Sequence, residues 1–321
     1  MLVANGDNIR LAMVGMVAEN GHPYSWSAII NGEYNKEAMA QCGYPAIPEY
    51  LGAQPPEALG IDGARVTHVW CEDRAEAEHV AKASCIEHVV DHPEDVIGKV
   101  DAVIIPTDIG GEHVERARPF IEAGLPLFID KPLTDNIDDL VQFIDWHDAG
   151  KPFLSTSALR YASEYHELRD KMDEIGEARI INVVMAKSWE RYGIHALEAV
   201  YAFLRAGGYL SVTHAGDPDV NVMTVEHEDG AHLILKMFYD LKEGFGRVVV
   251  QGTEGTLSTD FDDTFGAFKR QLETFIEYLR TGMEPFNFNE TIEQMKIIIA
   301  GIKSREQGER CVLPETKKDN I

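Results

Sequence analysis

Long apolar runs, basic charge and paired cysteines are all scarce in this sequence. No stretch approaches the ~20 apolar residues that a membrane-crossing helix needs. The opening segment MLVANGDNIRLAMVG lacks a charged region followed by a cleavage site, so a cytoplasmic protein with no membrane partner is expected. Lysine and arginine number 29 against 54 aspartates and glutamates, a formal charge of -25. That field repels nucleic acid and anionic membranes. Small neutral metabolites fit it, and an anionic one needs a local basic pocket. Cys42, Cys71, Cys85 and Cys311 form no C-x-x-C pair, which argues against a disulfide framework or zinc site and for buried thiols. No P-loop, G-x-S-x-G elbow, H-E-x-x-H or internal repeat occurs.

What is present is an alternation. The 321 residues, 45% of them hydrophobic, exceed one ordinary core and predict two domains of roughly 150 residues. IRLAMVGMV (9–17), ARVTHVWCED (64–73), VDAVIIPT (100–107), LPLFIDKPL (125–133) and KPFLSTSA (151–158) read as buried strands separated by amphipathic helices. The first of those helices takes a serine N-cap in SWSAIINGEY. Such an order predicts a doubly wound parallel sheet over residues 1–156. An insertion at about 33–63, carrying Pro45, Pro48, Pro55 and Pro56, breaks any long helix and offers a lid or a contact surface. Beyond residue 157 the texture changes. EYHELRDKMDEIG and IHALEAVYAFLRAGG read as helices; ARIINVVMAKSW, VNVMTVEHE, AHLILKMFYD, GRVVVQG and GTLSTD read as strands on short turns; two final helices follow. An α+β domain over 157–321, with an open and largely antiparallel sheet, is expected.

Three places carry chemistry. VGMVAENGHPYSW follows the first strand where a dinucleotide loop belongs, with Gly15 as the first glycine but Val17 and Asn20 at the second and third positions and Gly21 one residue late. It reads either as a remodelled phosphate loop, held through Gly15, Met16, Val17 and Asn20 with His22 near the cleft, or as a plain turn. Glu72 and Asp73 end the second strand, where an acid binds a ribose diol, and Arg74 offers itself to a 2′-phosphate; the alternative is an acidic helix start. Lys131 ends a parallel strand in FIDKPL, where it can reach a substrate hydroxyl, and burial would lower its pKa toward proton transfer; otherwise it is a surface lysine. His195 and Glu198 share a helix face behind Gly193. Histidine is the natural acid or base near neutral pH, the alternative being a capping or core histidine. No third ligand accompanies the pair, so no metal is expected.

In order and spacing these pieces resemble the Gfo/Idh/MocA family of sugar and polyol dehydrogenases. The resemblance runs through VDAVIIPT, HVERARPFIEAGLPLFIDKPLTDN, ALRYASEY, YGIHALEAV, VVVQGTEGTLSTD and the closing helices. It implies a Rossmann domain plus an α+β domain, NAD or NADP, oxidoreduction of a sugar or polyol, and a homo-oligomer, dimer or tetramer. By position Lys131 matches the E-K-P lysine and His195 the motif histidine. Thr107 and Asp108 fall on the cofactor-facing turn; His113, after the strand VDAVIIPT, lies near the expected cleft where it can touch cofactor or substrate. Arg160, Arg191, Tyr192 and Glu198 become candidate substrate contacts. Asp130 replaces the motif glutamate, and Arg191 stands where a motif aspartate shares the hydroxyl proton, which shifts acid–base work onto His195 and Lys131 with Tyr192 as a further donor. Relatives that use retained cofactor to hydrolyse glycosides, and non-catalytic binding relatives, are the rival readings.

Overall fold

The computed structural model describes all residues except 218, 242, 243 and 317–321. Short apolar segments flanked by turn residues become six parallel strands: β1 (Ile9–Val14), β2 (Ala64–Trp70), β3 (His88–Val89), β4 (Ala102–Ile105), β5 (Leu127–Ile129) and β6 (Phe153–Leu154). Their order is β3-β2-β1-β4-β5-β6. Because β1 lies between β2 and β4, the chain crosses over on both sides of it, and the cleft at the carboxyl ends of β1 and β4 is the topological switch point.

The second sheet runs β12-β11-β7-β10-β9-β8-β13, built from β7 (Ala178–Ala186), β8 (Tyr209–Asp217), β9 (Val220–His227), β10 (His232–Phe238), β11 (Val248–Gly252), β12 (Thr256–Thr259) and β13 (Cys311–Val312). All its pairings are antiparallel except β7 with β10. Strict burial alternation along β9 leaves one face covered and one open. The helices Trp189–Val200 and Phe288–Gln307 lie against β8 and β10 on the covered face.

Several local expectations change. β1 stops at Val14, and the helix His22–Asn31 is capped at Gly21 rather than by serine, because Ser25 and Ser27 are fully buried inside it. The insertion folds into two short helices, Lys36–Met39 and Ala46–Gly52. The helix expected from Ile194 to Gly208 runs instead from Trp189 to Val200, and β8 takes up Tyr209–Asp217. The late helix Thr264–Thr281 packs Phe265, Leu272, Phe275 and Leu279 into the core beneath β1 and the helix His22–Asn31.

Gly193 is small because Trp189 packs against it. A Cβ there would lie 2.6 Å from the ring of Trp189, and one on Gly301 would lie 2.5 Å from its Nε1. Trp189 is therefore clasped between its own helix and the helix Phe288–Gln307, where its Nε1 donates to Ile298 O at 2.9 Å. This clasp fixes the helix that carries Arg191, Tyr192, His195 and Glu198. Gly301→Ala should overpack it and lower stability by roughly 1–3 kcal/mol; an unchanged thermal unfolding midpoint would contradict the packing described.

Candidate active site

The loop after β1 holds a backbone only glycine tolerates. Gly15 has φ +106°, and a Cβ on it would meet Thr107 Cγ2 at 3.0 Å and Arg116 Nη1 at 3.1 Å. Met16 N donates to Glu72 Oε2 at 2.8 Å, while Glu72 Oε1 accepts from Arg116 Nη1 at 2.6 Å. Glu72 thus sits at the end of β2 facing the loop. Its neighbours do not: Asp73 caps the helix Arg74–Ala83 through Ala75 N, and Arg74 turns outward to Glu78 and Asp91. In this structure Arg74 pairs with those two surface carboxylates and not with the loop.

Asn20, at the third fingerprint position, is spent internally. Its Nδ2 donates to Pro106 O (2.9 Å) and Asp130 Oδ2 (3.3 Å), and its Oδ1 accepts from His22 N (2.9 Å). The late glycine, Gly21, is needed because the insertion packs on it: a Cβ would lie 2.6 Å from Ile47 Cδ1 and 2.8 Å from Tyr44. Three observations nonetheless fit a dinucleotide at this place: the Gly15 backbone, the strand-end Glu72, and the Thr107 hydroxyl, which is buried at the end of β4 without a hydrogen-bond partner. His113, by contrast, is wholly buried with its ring nitrogens at 3.1 Å from Leu133 O and 2.8 Å from Thr107 O. It braces two strand-end loops and does not face the cleft.

Lys131 follows β5, joined to Pro132 by a cis peptide, and is 2% exposed. Its Nζ donates to Asp108 Oδ2 at 3.3 Å. Arg191 reaches the same carboxylate from the helix above, Nε to Oδ2 at 3.1 Å and Nη2 to Oδ1 at 2.8 Å. Burial disfavours the charge on Asp108, but Lys131 and Arg191 overcome it and hold its pKa well below the usual carboxylate value. The same balance corrects the expectation for Lys131. Burial alone would lower its pKa, yet Asp130 and Asp108 outweigh that and raise it, so the side chain is an ammonium and not a base. Asp130 Oδ2 also meets His22 Nδ1 at 2.9 Å, and Asp130 Oδ1 accepts from Lys131 N at 2.8 Å.

Tyr192 joins the two halves of the site. Its ring centroid lies 5.1 Å from Lys131 Nζ and 4.9 Å from the ring of His195, with Phe245 closing the far side. His195 Nδ1 sits 2.6 Å from Ser157 Oγ, which also accepts from Leu159 N. A hydroxyl can donate or accept, so Ser157 matches either tautomer of the ring. Burial first, then the charge of Lys131 and His22, drives the His195 pKa well below the ordinary 6.5, leaving it neutral at pH 7. Glu198 does not orient His195. It is buried against Arg160 and lies 3.4 Å from Thr156 Oγ1, and Arg160 continues to Glu290 Oε2 at 2.8 Å.

Ser157, Arg116, Glu19 and Lys187 join the site without having been singled out in the sequence. Isolated polar residues leave no periodic trace, and only the fold puts them beside their partners. Asp108→Ala should leave Lys131 buried with one carboxylate fewer and release Arg191, costing about 3–5 kcal/mol; chemical denaturation reads this directly, and a loss under 1 kcal/mol would refute the assigned role.

Comparison with known proteins agrees with this geometry. Residues 43–151, from the insertion to the start of β6, match the model of the oxidoreductase family with an NAD-binding Rossmann fold, GFO_IDH_MocA. Inositol 2-dehydrogenase of Rhodococcus erythropolis is 24% identical over 317 residues, covering 81% of this chain and 91% of its own. Among solved structures, myo-inositol 2-dehydrogenase of Lactobacillus plantarum superposes with a TM-score of 0.75 at 14% identity, covering 96% of this chain and 100% of that one. GenD2 from gentamicin A biosynthesis, solved in complex with NAD, gives 0.74 at 16% identity over 96% and 97% of the two chains. Residues 43–151 thus match the NAD-binding domain of the Gfo/Idh/MocA oxidoreductase family, and the chain as a whole shares its fold with the inositol dehydrogenase structure.

Proposed function

We propose that the protein oxidises or reduces a hydroxyl-bearing carbon of a sugar, sugar derivative or cyclitol, with residues 1–156 holding NAD or NADP and 157–321 the substrate. The observation that carries this reading is the meeting of Lys131, from the end of β5, with His195, from the helix over the second sheet, around one Tyr192 ring. The similarity to inositol dehydrogenases supports a polyhydroxylated ring as substrate.

Gly15, Met16, Glu72 and Thr107 are the residues suited to hold the dinucleotide, which when bound supplies the hydride acceptor or donor. Lys131, kept cationic by Asp130 and Asp108, stabilises negative charge on the reacting oxygen. His195, neutral in its buried setting, takes the hydroxyl proton in oxidation. Ser157 adjusts its hydrogen bond to Nδ1 as the ring gains that proton, and reverses in reduction. Tyr192 packs between them and excludes water. Arg160 and Glu198, locked to each other, shape the wall behind His195.

The first test is binding: NAD or NADP should quench tryptophan fluorescence and raise the unfolding midpoint, and no response to either cofactor would sink the reading. With a polyol substrate in hand, Lys131→Ala should cut kcat at least about 100-fold. The pH profile follows from the sign of the His195 shift. A base must be unprotonated, and a pKa pushed below 6.5 keeps it so in mild acid. The acid limb of kcat/KM for oxidation should therefore lie below pH 6.5 and disappear in His195→Gln; a limb at pH 7 or above contradicts the assignment.

A further inference from the structure

Outside glycine, the described residues hold three with positive φ: Glu19 (+65°), Cys85 (+55°) and Lys187 (+60°). Two of these strained residues face each other. Glu19 lies on the loop after β1 and Lys187 at the turn between β7 and the helix Trp189–Val200; Lys187 Nζ is 3.5 Å from Glu19 Oε2, and Arg191 Nη1 is 3.6 Å from the same oxygen. Left-handed backbone at a non-glycine residue is costly and persists where surrounding contacts impose it, commonly at ligand sites.

The loop does not need the Glu19 carboxylate to stay in place. Main-chain oxygens anchor it independently: Lys187 Nζ donates to Glu19 O at 3.2 Å and Arg191 Nη2 to Ala18 O at 3.1 Å. The carboxylate is half-exposed, whereas the two cations are largely covered. An exposed carboxylate on such a pair contributes little and can swing out while the backbone remains pinned. The cations belong to the reaction chamber. Lys187 Nζ lies 5.0 Å from the Tyr192 ring that Lys131 and His195 also touch. Arg191 is already matched by Asp108, so removing the Glu19 side chain leaves one positive charge, on Lys187, without a carboxylate and held by the Glu19 main-chain oxygen alone.

We propose that Lys187 and Arg191 form the carboxylate-binding end of the substrate site, that Glu19 fills it in the resting protein, and that the substrate is a sugar acid or other carboxylate-bearing polyol. This rests on the oxidoreductase reading above. It names the local basic pocket that an anionic substrate needs in a chain of charge -25.

Calorimetric titration of the NAD-loaded protein with matched pairs, glucose and glucuronate, galactose and galacturonate, tests it, with glucose 6-phosphate and myo-inositol as further probes. In at least one pair the acid should bind about tenfold more tightly than the neutral sugar. Glu19→Gln should tighten the acid several-fold and leave the neutral sugar unchanged. Lys187→Asn, which keeps a residue tolerant of the left-handed backbone, should abolish the preference. The proposal is overturned if no pair favours the acid, if glucose 6-phosphate outbinds every carboxylate, or if Lys187→Asn weakens NAD itself and not the acid, which would give the cations to the cofactor phosphates. Reduction of NAD with a neutral polyol alone would overturn it and leave the oxidoreductase reading standing; failure to bind either dinucleotide strikes that reading instead.

Discussion

A single buried carboxylate organises the site. Asp108, at the end of β4, binds Lys131 from the neighbouring strand and Arg191 from the helix over the second sheet. Each of these charges would be costly to bury alone, since desolvation of an ion takes several kcal/mol that only a close opposite charge and good hydrogen bonds return. Asp108 shares with Asp130 the task of keeping Lys131 charged while buried, and through Arg191 it also ties the helix over the second sheet to the end of β4. Positioning of the catalytic candidates and docking of the two sheets become one problem, solved at one residue.

That arrangement also accounts for the departures in the loop after β1. Where a glycine fingerprint relies on missing side chains, this loop relies on tethers. Asn20 ties it to Pro106 and Asp130, Glu72 takes the Met16 amide, and Lys187 and Arg191 hold the oxygens of Glu19 and Ala18. Gly21 keeps its glycine for the insertion, which packs Tyr44 and Ile47 against it. Replacing a fingerprint glycine removes conformational freedom, and the polar contacts supply the shape that the glycines would otherwise permit.

Apolar pattern made much of this legible in advance. The strands β4 and β5 are continuous buried runs and β1 is buried but for Arg10, and the change of texture after residue 157 marks the mixed sheet. What escaped the eye was short or polar. β3 has two residues, too few to show a period, and β8 follows directly on a stretch, Ile194–Gly208, that reads as one helix although the helix ends at Val200. In the site, Lys131 and His195 stood out because strand-end and helix-face spacing point to them. The mistakes came from partners that spacing cannot show. Lys131 reads as an easily deprotonated lysine until Asp108 and Asp130 are placed beside it, Glu198 reads as a substrate contact until Arg160 takes it, and His113 reads as facing the cleft until two carbonyls enclose it.

The charge distribution gives these local facts a common logic. An excess of carboxylates over the chain raises the free energy of any additional anion near the surface, so a cation placed in the cleft is quickly claimed by an acidic side chain from within. Asp108 claims Lys131 and Arg191, Glu72 claims Arg116, and Glu19 claims Lys187. The first pairing is closed and buried, whereas Glu19 stands half in solvent on a strained backbone. Of these four pairings that of Glu19 with Lys187 has the most exposed carboxylate, whereas Glu72 is held by the Met16 amide as well as by Arg116, so it is the Glu19 side chain that yields its cation to a ligand most easily.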